Sequence, residues 1–434
     1  MWMIMSVNSV PEPTRPGRGQ HALADRTHDS NSTPLGHPAL PKHRFAALDG
    51  YRAIAALMVV STHVAFSSGL VTQGAVGALL SRFDFGVTLF FGISGFLLYR
   101  PWVRFGLAAS PRPGLRTYSI RRVARVFPAY LLLLVTVAVL LPVARTDIDS
   151  MGSAKFWFSH LTLTQIYLPD TYVRGLTQTW SLATEVAFYT ILPVIGWWAT
   201  RRQRGDVAAT LQRQYRVLGV LFVIGIAAAI LRAVRGPAGP AFVGYWVPAY
   251  LDWFVAGMIL AVVFEANRLG CASWITRVVN RLASDPIVPI GAAIALLVIA
   301  MTPLAGPYTL APSGVLGMLS RHWLYLAAAF LLLVPGIFGS TRTIWRQGLQ
   351  SRPMAFLGEI SYGIFLWHLL VLELITLALD AWLGTEFVAH PFLLLWPAVI
   401  AGSIVLGWLS WIVVERPAIS WSHRVTRPAR TRSG

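Results

Sequence analysis

The chain has 434 residues, 55% of them hydrophobic and only 12% charged, roughly half the charged fraction of an ordinary soluble domain. This excludes a soluble globular domain, a coiled coil and a disordered protein, and leaves an all-α, polytopic integral membrane bundle with lipid as the solvent for most of its surface. The net charge of +18 is read first as loop charge flanking the spans, with no nucleic-acid partner, and the single Cys271 supplies neither a disulfide framework nor a thiolate metal cluster.

Residues 1–44 are rich in Pro, Gly, Ser, Thr and His, and no apolar core follows a basic start. They read as a disordered cytoplasmic tail without a cleavable signal. About ten membrane helices follow, expected near 46–66, 83–99, 122–142, 179–199, 217–235, 245–264, 286–304, 322–340, 355–379 and 391–414. The aromatic stretch 155–168 is too short and polar to span and reads as interfacial. Residues 418–434 form a basic cytoplasmic tail. Arginines such as Arg100, Arg201, Arg268 and Arg342 fall in the even-numbered connections, whereas Asp147, Asp149, Asp170 and Glu386 fall in the odd-numbered ones. The positive-inside rule then places both termini in the cytoplasm, in a multi-pass plasma-membrane protein in contact with membrane lipid.

The chemistry must lie in the few polar residues inside the spans, because each costs free energy at membrane depth. In the first span, Arg52 and His63 are eleven residues apart. That is about three turns plus 20°, so they share a face and are separated by roughly 16 Å of rise, with Arg52 toward the cytoplasmic end. The pair suits a function, or a snorkelling arginine with an unrelated histidine. Ser94, in the run Phe90-Phe91-Gly92-Ile93-Ser94-Gly95-Phe96, suits either a small-residue helix contact or the approach of an acyl arm. Arg122 and Arg125 share a face at the membrane edge and fit positive-inside anchoring or a phosphate. Glu185 needs a cation or a hydrogen bond, and at its depth His63 is the expected partner. His368 lies near mid-membrane, as a satisfied core group or a functional one. Glu415-Arg416-Pro417 reads as the end of the last helix with an inner-surface ion pair. The histidines are too dispersed for metal ligation, so no metal site is expected. Trp157, Phe158, Tyr167, Tyr172 and Trp180 suit an interfacial belt or a sugar-stacking surface.

Together these runs resemble the acyltransferase-3 family of integral membrane O-acyltransferases, over residues 45–417. The blocks are Leu48-Asp49-Gly50-Tyr51-Arg52 through His63, the Phe-Phe-x-x-Ser-Gly-Phe run, Arg122-x-x-Arg125 with Pro128-Ala129-Tyr130, Trp180-Ser181-Leu182-x-x-Glu185 through Tyr189, Ser361-Tyr362 with Leu366-Trp367-His368, and Glu415-x-Pro417. Tyr51 departs from the more usual aliphatic residue. The resemblance implies transfer of an acyl group, commonly acetyl from acetyl-CoA, to a hydroxyl of an envelope carbohydrate, glycolipid or natural product. No permanently bound cofactor is implied; acyl-CoA is a co-substrate. Arg52, Arg122 and Arg125 would grip the donor's phosphates. His63 would be the general base, oriented by Glu185, with Ser94, Tyr362 or His368 in supporting roles. Tyr130, Trp180, Tyr189, Ser361 and Tyr362 would contact the acceptor or support the site. An acyl-enzyme on His63 or Ser94, and a lipid rather than CoA donor, stay open. The competing class is a non-enzymatic exporter or flippase that uses Arg52, His63 and Glu185 as a relay.

Overall fold

Lipid offers no hydrogen bonds to a peptide group, so apolar stretches must satisfy their own backbone. In the computed structural model they do so as helices. The structure describes residues 45–144, 149–171, 173–201, 206–236, 244–308, 313–383 and 391–427; the expected N-terminal tail, Tyr172, Asp147 and Glu386 lie outside them. In chain order the helices are α1 (Ala46–Ser67), α2 (Gly74–Ser81), α3 (Gly86–Gly106), α4 (Leu115–Ala144), α5 (Ala154–Leu161), α6 (Thr179–Thr200), α7 (Val207–Arg235) and α8 (Leu251–Arg268). The second half adds α9 (Trp274–Ser284), α10 (Ile287–Ala300), α11 (Val315–Phe338), α12 (Ile344–Leu349), α13 (Arg352–Glu359), α14 (Ser361–Leu383), α15 (Phe392–Ser410) and α16 (Arg416–Val425). No strand occurs among the described residues.

Eight helical stretches among the described residues are long and apolar enough to cross a membrane, or nine if α9 and α10, bent by 90°, form one span. The first expected span is not among them. α1 is 22 residues long, but Asp49, Arg52 and His63 lower its hydropathy. It can afford them because α3, α13, α14 and α15 pack around it, so protein rather than lipid meets its polar side chains. The expected 217–235 span begins ten residues earlier, at Val207, where Asp206 caps the helix by accepting from the Ala209 amide.

The expected end of the last helix at Glu415-Arg416-Pro417 is corrected. Trp411–Glu415 forms one π-helical turn and the chain continues into α16. Pro417 sits in the first turn of α16, where its missing N–H costs nothing. The wide turn rotates Glu415 inward, to 1% exposure.

Two apolar cores result, one built mainly from α3, α8 and α11 and the other from α4, α14 and α15. Phe90, Trp180 and Tyr189 pack against both and so mark the seam. α3 and α8 touch almost backbone to backbone: a methyl added at Gly257 would strike the Gly92 carbonyl, and one at Gly95 the Phe254 carbonyl. The small-residue reading of this run therefore holds for Gly92 and Gly95, while Ser94 turns the other way.

Candidate active site

The seam encloses a cavity of about 290 Å³, at the small end for a ligand site and suited to a slim arm. α1 contributes Arg52, α3 contributes Ser94, α4 contributes Arg122 and Arg125, α6 contributes Glu185 and Tyr189, and α14 contributes Ser361 and Tyr362. Residues from five stretches of sequence converge because each sits on the inward face of a helix that borders the seam.

The cavity is basic. Arg125 donates to Glu415 at 3.2 Å from behind and lies over the rings of Tyr362 and Trp411, each 5.6 Å away. Arg122 lies over the Tyr189 ring at 5.9 Å. Neither Arg52 nor Arg122 forms an ion pair among the described residues. Three guanidinium groups thus line the cavity with one carboxylate, Glu185, while Glu415 acts on Arg125 and Asp49 on Arg52 from outside the lining. The guanidinium groups that face the cavity itself outnumber its carboxylates, a lining that suits an anionic ligand.

Glu185 does not meet His63, as its depth had led us to expect. Ser94 Oγ donates to Glu185 Oε1, and the carboxylate shares the cavity with Arg52. Arg52 and His63 lie on one helix about 16 Å apart, and α6 brings Glu185 to the Arg52 end. His63 instead meets His368. The two rings are 5.0 Å apart, with His63 Nδ1 3.3 Å from His368 Nε2, and both stand outside the cavity lining.

Their hydrogen bonds fix the tautomers. His63 Nδ1 lies 2.8 Å from the Val59 carbonyl and His368 Nδ1 lies 2.6 Å from the Phe365 carbonyl. A carbonyl only accepts, so each Nδ1 carries the proton. His368 Nε2 is then a bare acceptor facing the His63 Nδ1–H, and His63 Nε2 keeps a free lone pair. His368 is buried completely, while His63 is partly exposed.

The supporting residues divide. Tyr362 lines the cavity but donates its hydroxyl to the Val126 carbonyl at 2.8 Å, and Ser361 donates to the Gly358 carbonyl at 2.8 Å. Tyr130 does not line the cavity; it is fully buried and ties α4 to the His160 carbonyl at 2.8 Å. Trp180 joins an aromatic cluster, 4.7 Å from Tyr245 and 5.5 Å from Tyr250.

Several ionisable groups were missed. His322 Nε2 lies 2.8 Å from Asp252 Oδ2, with both side chains at most 1% exposed. Asp252 falls inside the expected 245–264 span and His322 opens the expected 322–340 span, so their residue types alone carried the signal. Arg100 and Arg268, read as loop charges, instead hold Glu265 at 2.6 and 3.1 Å. Arg82 is 2% exposed and donates to the carbonyls of Ala300 and Gly306 at 2.7 and 2.6 Å. No group of three or more His, Cys, Asp or Glu side chains fit for a metal occurs among the described residues.

Comparison with known proteins follows the same outline. The model of a family described as acyltransferase domain matches residues 45–412. The acyltransferase MdmB of Streptomyces mycarofaciens is 27% identical over 89% of this chain and 95% of its own length. The peptidoglycan O-acetyltransferase OatA of Listeria monocytogenes is 24% identical over 86% of this chain. A putative peptidoglycan O-acetyltransferase, YrhL of Bacillus subtilis, is 25% identical over the same share. The match covers 55% of each of these two relatives, so the chain spans about half their length. No solved structure matches.

Proposed function

Because the chain belongs to this family of acyltransferases, we propose that it moves a short acyl group from acyl-CoA to a hydroxyl of an envelope carbohydrate or secreted natural product, at the plasma membrane. The observation that carries the reading is the pairing of a guanidinium-lined cavity with an imidazole pair a few turns away, in which His63 Nε2 is left free.

Arg52, Arg122 and Arg125 serve the donor. Their planar forks match phosphate oxygens. The slim cavity takes the thioester arm. Ser94 and Glu185 line its wall. His63 serves the acceptor. Its Nε2 takes the proton of the acceptor hydroxyl as that oxygen bonds to the thioester carbonyl carbon. The C–S bond then breaks, and the departing thiolate recovers the proton from His63. While His63 is protonated, the Val59 carbonyl and His368 Nε2, 2.8 and 3.3 Å from its Nδ1, share that one N–H and hold the ring in place, the part that a carboxylate plays in a serine-hydrolase triad. The relatives named as peptidoglycan O-acetyltransferases favour a carbohydrate acceptor.

The test is purified protein in nanodiscs with radiolabelled acetyl-CoA and isolated peptidoglycan fragments. Thiol release matched by label on the acceptor is expected. An exporter would give neither.

A further inference from the structure

The helices that border the cavity run in known directions, and their residues fall into three layers. On α1, Arg52 comes first and His63 about three turns later. On α14, Tyr362 lines the cavity, Phe365 follows, and His368 is three residues beyond. On α3, Phe90 lies one turn from Ser94, on the side toward the helix start. At about 1.5 Å per residue, Phe365 lies roughly 4.5 Å from the His368 level and Phe90 roughly 6 Å from the Ser94 level. Between the guanidinium layer and the imidazole layer stands an aromatic layer.

Its two rings touch. Phe90 and Phe365 are 5.9 Å apart with planes at 67°, an edge-to-face contact. Both line the cavity, and the Phe365 ring is 5.8 Å from that of His368. Phe90 sits on the seam of the two cores, so its ring can turn without dismantling either. Phe365 is held more firmly, at 8% exposure.

We propose that the Phe90–Phe365 pair sets the cross-section of the acyl group that the enzyme transfers. This rests on the reading of the cavity as a donor site. On this proposal a carbonyl that travels from the guanidinium layer to His63 passes between these rings, since both line the cavity and Phe365 borders His368. Turning one ring opens a slot for an unbranched acyl group such as acetyl or propionyl. A branch next to the carbonyl, or an aryl group, needs both rings to move, and one of them is fixed in a packed core. The pair is a specificity determinant and takes no part in the proton transfer.

The experiment measures kcat/KM for thiol release from acetyl-, propionyl-, isobutyryl- and benzoyl-CoA in nanodiscs with peptidoglycan fragments as acceptor. Wild type, Phe90→Leu and Phe365→Leu are compared. A methyl branch against an apolar wall is worth about 10–200-fold. Wild type is expected to favour acetyl over isobutyryl within that range. Either leucine variant should raise the isobutyryl-to-acetyl ratio about tenfold, whatever its effect on the absolute rate with acetyl. Equal wild-type rates for acetyl and isobutyryl would overturn the proposal even if both variants failed to fold. An unchanged ratio in variants that still use acetyl-CoA would overturn it too, leaving the donor-site reading intact. Absence of thiol release from every donor in wild type would overturn the donor-site reading, and this proposal with it.

Discussion

His63 illustrates how the neighbours of one side chain decide its chemistry. The Val59 carbonyl claims the proton at Nδ1, so the free lone pair must be at Nε2. A general base contributes about 10²–10⁴ in rate, and His63→Gln, which hydrogen-bonds but accepts no proton at neutral pH, should lose that much of the transfer rate while donor binding persists. His368→Gln should lose less and should shift the pH dependence of kcat, since His368 only supports the charged ring. A pH profile in that variant unchanged from wild type would reduce His368 to packing. The two cavity arginines on α4 should separate in the same way. Arg122 is backed by a ring, and Arg122→Ala should weaken acyl-CoA binding by about 1–3 kcal/mol with little loss of stability. Arg125 is backed by Glu415, 1% exposed. Arg125→Ala should also destabilise the fold by about 3–5 kcal/mol, because it strands a buried carboxylate. Thermal unfolding and donor binding, measured on both variants, check the split. This difference could not be read from the sequence, where Arg122 and Arg125 look alike and Glu415 lies 290 residues away from Arg125. The helices and the identity of most cavity residues were legible because a polar side chain in an apolar run stands out. Which of them meet depends on helix packing that local pattern does not encode, so Glu185 was paired with His63 and the contact with His368 went unseen.

Among the elements, the α3–α8 crossing and α5 offer the clearest tests. Gly257 faces the Gly92 carbonyl with no room for a methyl. Gly257→Ala should cost about 1–3 kcal/mol through overpacking and should disturb Ser94 on the adjoining turn; unchanged thermal stability would show that the crossing yields. α5 lies outside the spanning helices. Burial pushes the imidazole of His160 down to about 4, below its unfolded value near 6.5. The neutral ring therefore contributes its full stability above about pH 6.5, and that contribution is lost as pH falls toward 4. Replacing it as His160→Phe should flatten the decline in melting temperature between pH 7 and pH 4.5, and an equal decline in both proteins would refute the assignment. α5 itself was foreseen as an interfacial stretch from its length and aromatics. α9, α12 and α16 were not, since short amphipathic helices carry too few apolar residues to register as spans.

At the scale of the molecule, the layers of the site coincide with the expected sidedness of the bundle. On the sidedness expected from the arginine asymmetry of the connections, the Arg52 end would face the cytoplasm, the side of the proposed acyl-CoA donor, and the His63 end the opposite face. Labelling with an impermeant reagent should accordingly reach a cysteine placed in 149–171 and should not reach one placed in 206–216. The central claim is that one enzyme binds its donor from one face and acylates an acceptor presented at the other. Proteoliposomes sorted for a single orientation test it most directly, with radiolabelled acetyl-CoA confined to the side of the guanidinium cavity and peptidoglycan fragments confined to the side of His63. Label transferred to the fragments across the sealed bilayer, lost in His63→Gln and weakened in Arg122→Ala, is the result expected. Transfer only when donor and acceptor share one compartment would contradict it.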